Sequence, residues 1–239
     1  MPFAFCLAIV NRELSVLEKK IGVIFENKDR LRQALVHRSY INENPGFELP
    51  HNERLEFLGD AVLELAVTEY LFNQYKNPEG ELTNWRAALV NAKTLAEVGA
   101  KLGLEDFIYL SRGEAKDTGR ARQCILANTM EALIGAMYLD QKWSVVDEFI
   151  KKNIVVLLPE IIKNGLYKDA KSSFQEKAQE VTGITPSYEV LKEWGPDHAK
   201  NFLVGVFLED EKVADGQGPS KQEAQQQAAE NGLKTKNWD

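Results

Sequence analysis

His51-Asn52-Glu53-Arg54-Leu55-Glu56-Phe57-Leu58-Gly59-Asp60 sets three acids, Glu53, Glu56 and Asp60, at i, i+3 and i+7. Around them lie Leu55, Phe57, Leu58, Val62, Leu63 and Leu65. On a helix this spacing puts the three carboxylates on one face. The apolar neighbours bury much of the same helix, and carboxylates are rarely buried unless paired or bound to metal. Two readings stand at this point: a divalent-cation site, or a solvated acidic face with Arg54 as a local ion-pair partner.

Working outward, Asn27 is the expected N-cap of a helix from Lys28 to His37. The acid-bearing helix is expected from about Glu53 to Tyr75, with Pro78-Glu79-Gly80 breaking the pattern. Helical periodicity returns over Leu82 to Leu102, Ile125 to Leu139 and Val145 to Ile162, with Gly113 to Gly119 as a loop. The pattern changes after Asn164-Gly165. A helix over Lys171 to Val181 precedes two alternating runs, Tyr188, Val190 and Trp194, then Phe202, Val204, Val206 and Leu208. Gly195-Pro196-Asp197-His198 connects them as a hairpin, and Lys212 to Asp215 forms a short third strand. Ser220-Lys221-Gln222-Glu223 is a capping box opening an alanine-rich helix through Ala224, Ala228 and Ala229. The expected architecture is an all-α domain over residues 12–164, then a small α+β domain of order α-β-β-β-α over residues 169–237. Gly216-Gln217-Gly218 lacks the third glycine and the βα setting of a dinucleotide loop. Trp85 and Trp194 are expected to pack rather than to stack on bases.

The chain has 239 residues, 44% of them hydrophobic, and a formal net charge of −7. That charge disfavours a simple polybasic nucleic-acid binder, yet suits an enzyme whose acids hold metal. Cys6 and Cys124 make no disulfide framework and no metal-ligand spacing, which favours a reducing cytoplasm. Phe3 to Val10 is apolar but too short to cross a bilayer, and lacks a basic leader or convincing cleavage site. It is expected to dock on the core, and no membrane association is expected.

Ala127-Asn128-Thr129-Met130-Glu131-Ala132-Leu133 carries a second oxygen pair, Asn128 and Glu131, at i and i+3. Hard oxygens suit Mg²⁺ or Mn²⁺, and the absence of Cys/His clusters argues against zinc. Two helices each bringing a pair of oxygen ligands into a bundle is a known way to build a metal site.

With both blocks in place the sequence resembles bacterial ribonuclease III. Asn52 to Asp60 matches that family's signature, and Ile125 to Asp140 (ILANTMEALIGAMYLD) its second block. His37-Arg38-Ser39 and Arg86-Ala87-Ala88-Leu89-Val90 also fit. The portion after Asp169 resembles a double-stranded-RNA-binding domain, so the resemblance runs from about Leu17 to Leu233. It implies that Glu56, Asp60, Asn128 and Glu131 hold the metal, with Asp60 and Glu131 catalytic. It implies supporting roles for Glu53 and Glu79, whereas Glu81 is read as a solvated helix-start acid. The family often has Asp where this chain has Asn128. An amide oxygen still coordinates a cation, but the site carries one charge fewer.

In the second domain, Lys171-Ser172-Ser173-Phe174-Gln175-Glu176 matches the start of the family's first helix. Gln175 and Gln179, one turn apart, could reach 2′-hydroxyls in an RNA minor groove. His198 lies in the matching loop, and Lys221 opens the last helix, where the dipole also favours phosphate. The family usually has two adjacent basic residues there; this chain has Gln222. From Asp169 onward eight lysines face thirteen acids, with no arginine. Weaker, more salt-sensitive RNA binding than the motif suggests is expected, unless the few lysines cluster on one face.

The resemblance implies a Mg²⁺-dependent endoribonuclease (Mn²⁺ substituting) that cleaves double-stranded RNA to 5′-phosphate and 3′-hydroxyl ends. It further implies a cytoplasmic homodimer that processes ribosomal, messenger and transfer RNA. Two other readings compete: a non-catalytic double-stranded-RNA-binding protein on the same fold, suggested only by Asn128, and a helical metallophosphohydrolase for small substrates, which leaves the second domain unexplained.

Overall fold

The computed structural model describes residues 13–165, 167, 169–196 and 200–238. The apolar segment Phe3 to Val10 lies outside the described residues. The chain divides into two compact units, Met1–Tyr167 and Lys168–Asp239.

The first unit is helical. Its elements are α1 (Leu14–Ile21), α2 (Lys28–Ala34), α3 (Arg38–Glu43), α4 (Glu53–Gln74), α5 (Glu79–Val90), α6 (Ala92–Lys101), α7 (Arg120–Asp140), α8 (Trp143–Asn153) and α9 (Leu158–Lys163). One isolated parallel bridge, Val36 to Tyr109, is added among the described residues. The central element is α7. Ile125, Leu126, Ala127, Met130 and Ala132 to Met137 are all buried, so this helix is apolar nearly all round, as a core helix must be. Thr129, also buried, satisfies its hydroxyl by donating to the Ile125 carbonyl at 2.7 Å.

Helix α4 packs on α7 at unusually close range. A Cβ added to Gly59 would lie 1.8 Å from the Glu131 carbonyl oxygen, and one added to Gly135 would lie 2.2 Å from the Leu55 carbonyl oxygen. The two backbones touch because neither contact residue has a side chain. The start of α4 is fixed separately. Asn52 is buried; its side-chain amide donates to the Ala34 carbonyl at 3.1 Å and its backbone N–H to the Val36 carbonyl at 2.8 Å. The far end of α7 is fixed by Asp140, which accepts from the backbone N–H groups of Glu26 and Asn27 at 2.7 and 2.9 Å. Burial would raise the Asp140 carboxyl, but these bonds, with Gln141 and Arg30, hold it below its usual range.

Several expected boundaries move. The single helix expected over Leu82 to Leu102 is two, because Asn91 leaves the helical region at ψ 157°. Its amide donates back to the Ala88 carbonyl, and its oxygen accepts from Thr94 N–H, each at 2.9 Å. One asparagine thereby closes α5 and caps α6. The helical pattern breaks before Pro78 as expected, with α4 ending at Gln74, but α5 already starts at Glu79 behind Pro78 rather than near Leu82. The run expected over Val145 to Ile162 splits into α8, a short 3₁₀ turn at Val155–Leu157 and α9, with Pro159 in the first turn of α9. Proline has no N–H with which to carry the α8 ladder onward. Helix α2 stops at Ala34, and His37 instead caps α3, its ring nitrogen accepting from Ser39 N–H. Trp85 packs as expected, in edge contact with Tyr75 and Tyr167.

The second unit contains α10 (Ala170–Thr182), an antiparallel sheet of order β1-β2-β3 (Ser187–Trp194, Asn201–Leu208, Glu211–Gly218) and α11 (Lys221–Lys236). Phe174, Ala178, Val206, Leu208, Val213, Ala228 and Ala229 form its core. The expected α-β-β-β-α order is present, with three differences. The β1–β2 register shifts between Val190 and Lys192, and an extra residue reverses which face the following side chains take. Trp194 therefore does not share a face with Tyr188 and Val190, and it stays 39% exposed beneath the Lys192 ammonium. Strand β3 runs on to Gly218. Gly216 pairs with Val204 within that strand, and only glycine fits there, because a Cβ would sit 2.2 Å from the Ala228 backbone nitrogen of α11.

Gly59→Ala is expected to destabilise the first unit by at least about 3 kcal/mol, because the added carbon meets backbone rather than a movable side chain. The urea midpoint measures this. A midpoint within error of the wild type would show that α4 and α7 do not need this approach.

Candidate active site

Four oxygen-bearing side chains come together where α4 packs on α7. Gly59 immediately precedes Asp60 and follows Glu56 by three residues; on the facing helix, Gly135 follows Glu131 by four. The backbone contact therefore carries the carboxylates of both helices into one neighbourhood. Burial, and then the charges of Asp60 and Glu56, push the Glu131 carboxyl up to about 7. Burial and the neighbouring Glu53 charge also raise Glu56, against a lowering influence of the Asn128 side chain. An amide at this position adds no further like charge to the carboxylates, as an aspartate would.

Glu56 and Glu131 are partly buried, whereas Asp60 and Asn128 are exposed; three carboxylates and an amide oxygen are the donor types that suit a hard divalent cation. Among the described residues no three His, Cys, Asp or Glu side chains already close around an ion.

The supporting acids divide. Glu53 stands at the start of α4 with Arg38 Nη1 3.6 Å and His51 Nδ1 3.8 Å from its carboxylate oxygens. The local partner expected of Arg54 is thus Arg38; among the described residues Arg54 makes no ion pair. Glu79 is elsewhere. It opens α5 and lines a groove of about 450 Å³ with Thr68, Leu71, Phe72, Leu82, Thr83 and Arg86, and shares no contact there with the four-residue set. Glu81 accepts from the Asn77 amide at 2.8 Å on the surface, as a helix-start acid does.

In the second unit, Gln175 and Gln179 are exposed on α10. Gln179 makes two long bonds, to the Gly183 carbonyl and from the Thr185 hydroxyl, both at 3.4 Å. Lys221 opens α11 behind the Ser220 cap, with its ammonium 5.8 Å from the centre of the Phe202 ring. His198 lies outside the described residues.

Residues 27–158 match the family model described as Ribonuclease-III-like, and residues 170–236 match the double-stranded RNA binding motif. The chain belongs to the ribonuclease III family. It is 43% identical over 224 residues to ribonuclease 3 of Nitratiruptor sp., covering 93% of this chain and 96% of that protein. Ribonuclease 3 of Staphylococcus aureus strain Newman is 41% identical over 232 residues, covering 95% and 94%. The nuclease domain of ribonuclease III from Campylobacter jejuni superposes with a TM-score of 0.53 at 40% identity, covering 59% of this chain and 98% of that structure. As a ribonuclease III, the protein is an endoribonuclease, a hydrolase, with a double-stranded-RNA-binding domain after its nuclease domain.

Sequence reasoning singled out Glu56, Asp60, Asn128 and Glu131 but not Gly59 and Gly135, which set the approach of their two helices. The signal for them was a glycine in the middle of each long apolar helix, where it costs about 1 kcal/mol relative to alanine.

The raised Glu131 carboxyl has a consequence for stability. Between pH 4.5 and about 7 the folded state holds this proton while the unfolded chain has lost it, so metal-free stability falls as pH rises through that window. Glu131→Gln removes the penalty. In chelator its melting temperature should exceed that of the wild type at pH 8 and match it near pH 4.5. A gain equal at both pH values would rule out this origin.

Proposed function

We propose that the protein hydrolyses the phosphodiester bonds of double-stranded RNA at Glu56, Asp60, Asn128 and Glu131, with Mg²⁺, or Mn²⁺ in its place. The observation that carries this is the meeting of two acid-bearing helices at the Gly59 and Gly135 backbone contact. A bound divalent cation would supply a water of lowered pKa and charge to stabilise the leaving 3′ oxygen. Asp60 and Glu131, one from each helix, hold that charge and align the water. Glu56 and Asn128 flank them, with Glu53, kept in place by Arg38, at the rim. Water oxygen joins phosphorus as the bond to the 3′ oxygen breaks, leaving 5′-phosphate and 3′-hydroxyl ends.

The RNA is held by Gln175, Gln179, His198 and Lys221, through 2′-hydroxyls and phosphates rather than base edges. We assign the protein to the cytoplasm, processing ribosomal RNA precursors, structured messenger RNA and transfer RNA. No helix among the described residues is long and apolar enough to cross a membrane. A homodimer is supported by the outer face of α4, where Phe57, Leu65 and Phe72 are 83%, 59% and 72% exposed. Apolar exposure of that extent on one helix face marks an interaction surface. The related nuclease domain from Campylobacter jejuni shows structural flexibility in a region involved in dimer formation. Glu79 opens α5, which borders the groove beside that face, so we place its supporting role at the dimer rather than within one subunit's set.

The metal set is tested by two kinds of variant. Asp60→Ala and Glu131→Ala should each lower duplex cleavage by roughly three orders of magnitude, equivalent to about 4 kcal/mol, with duplex binding kept. Gel analysis of a long RNA duplex incubated with Mg²⁺ reads both, and near-normal cleavage by Glu131→Ala at saturating RNA would sink the assignment. Asn128→Asp adds a charge to a hard-cation site, so the half-saturating Mg²⁺ concentration should fall. An unchanged or higher value would remove Asn128 from the ligand set.

A further inference from the structure

Among the described residues, three lysines of the second domain pair with carboxylates. Lys177 pairs with Glu180, Lys212 with Asp215 and Lys236 with Glu211, at 2.8, 2.9 and 2.9 Å. Lys171 differs. Its Nζ donates to the Gln225 side-chain oxygen at 2.8 Å and sits 5.1 Å from the centre of the Tyr188 ring. Both partners are neutral, so they orient the ammonium without removing its charge. Among the described residues no carboxylate pairs with it. Asp169, two residues earlier, spends its oxygens on the Ser172 hydroxyl, the Gln226 amide and the Lys171 backbone N–H.

Position gives that charge a use. Lys171, Gln175 and Gln179 are spaced i, i+4 and i+8 on α10, and Lys221 and Gln225 i and i+4 on α11. Each set forms a row along one helix face. The bond from Lys171 to Gln225 is where the two rows meet. Helix α11 has no cation of its own at Gln222, Gln225 or Gln226, so an ammonium reaching Gln225 stands about one helical turn from Lys221. Lys221 opens α11, where the helix dipole disfavours a cation and favours an anion. A phosphate bound between the two ammonium groups would relieve that cost.

We infer that Lys171 is a second phosphate-binding cation of the double-stranded-RNA face, supplying from α10 the positive charge that α11 lacks at Gln225. The inference rests on the RNA-binding reading of this domain. It separates affinity from the last helix alone: α10 would carry both the groups directed at 2′-hydroxyls and half of the pair directed at phosphate.

The test is binding of a short perfect RNA duplex by the full chain, in chelator to prevent cleavage, over about 50 to 200 mM salt. Each phosphate contact contributes about 0.9 to the slope of log affinity against log salt. Lys171→Gln should lower the slope by about that amount for each Lys171 engaged, as Lys221→Gln should. Lys171→Arg should keep the slope, and Lys171→Gln combined with Gln225→Lys should restore it by returning the charge to the same place from α11. A purely structural role for Lys171 would change the melting temperature and leave the slope alone. An unchanged slope in Lys171→Gln while Lys221→Gln lowers it overturns the inference, as does failure of the exchange variant to restore it. Failure of the wild type to bind the duplex overturns the RNA-face reading itself, and this inference with it.

Discussion

The contact between the backbones of α4 and α7 at Gly59 and Gly135 is the constraint on which the nuclease unit depends. Close-packed interiors leave no slack for one extra carbon. Here that carbon would fall 1.8 Å from a carbonyl oxygen. Only at this separation do the acids of one helix act on those of the other. Asp60 and Glu56 then hold the Glu131 proton well above the ordinary carboxylate range, with burial as the larger cause. Everything else around the site keeps that contact in place: Asn52 tying the head of α4 to α2, Asp140 tying the tail of α7 to the same helix, and the apolar girth of α7 between them.

Asn128 answers to the same crowding of acids. Its neutral side chain lowers the Glu56 carboxyl, which burial and the neighbouring acids raise. A site with three carboxylates already repelling one another gains from a neutral neighbour when the cation is absent, and loses some attraction for the cation when it is present. The two effects come from the same missing charge.

The second domain faces the opposite problem. Its ligand is a polyanion, and the domain itself is acidic. Lys177, Lys212 and Lys236 are paired with carboxylates, whereas Lys171, Lys192 and Lys221 lie against amides or rings, so affinity falls to shape, to neutral side chains and to these few ammonium groups. Such an arrangement distinguishes A-form geometry more than it attracts charge, and with few phosphate contacts the slope of affinity against salt stays shallow.

The sequence by itself determined the helical first domain, the α-β-β-β-α order of the second, and the residue types of the site. These follow from periodicity, capping and the presence of hard oxygens in apolar helices, all local properties. Helix ends at Asn91 and Pro159 were only half legible, because a cap or a proline marks a boundary without saying which helices it separates. The parity of Trp194 was not legible, since a single bulged residue reverses a strand face and leaves no trace in composition. Tertiary structure alone decided that the charges of Glu56 and Asp60 act on Glu131, that Glu79 lines a groove with α4 residues, and that the Lys171 ammonium reaches α11. Each is a distance between residues far apart in the chain or on different elements, fixed by which backbones can approach, and spacing along one helix carries no information about the next.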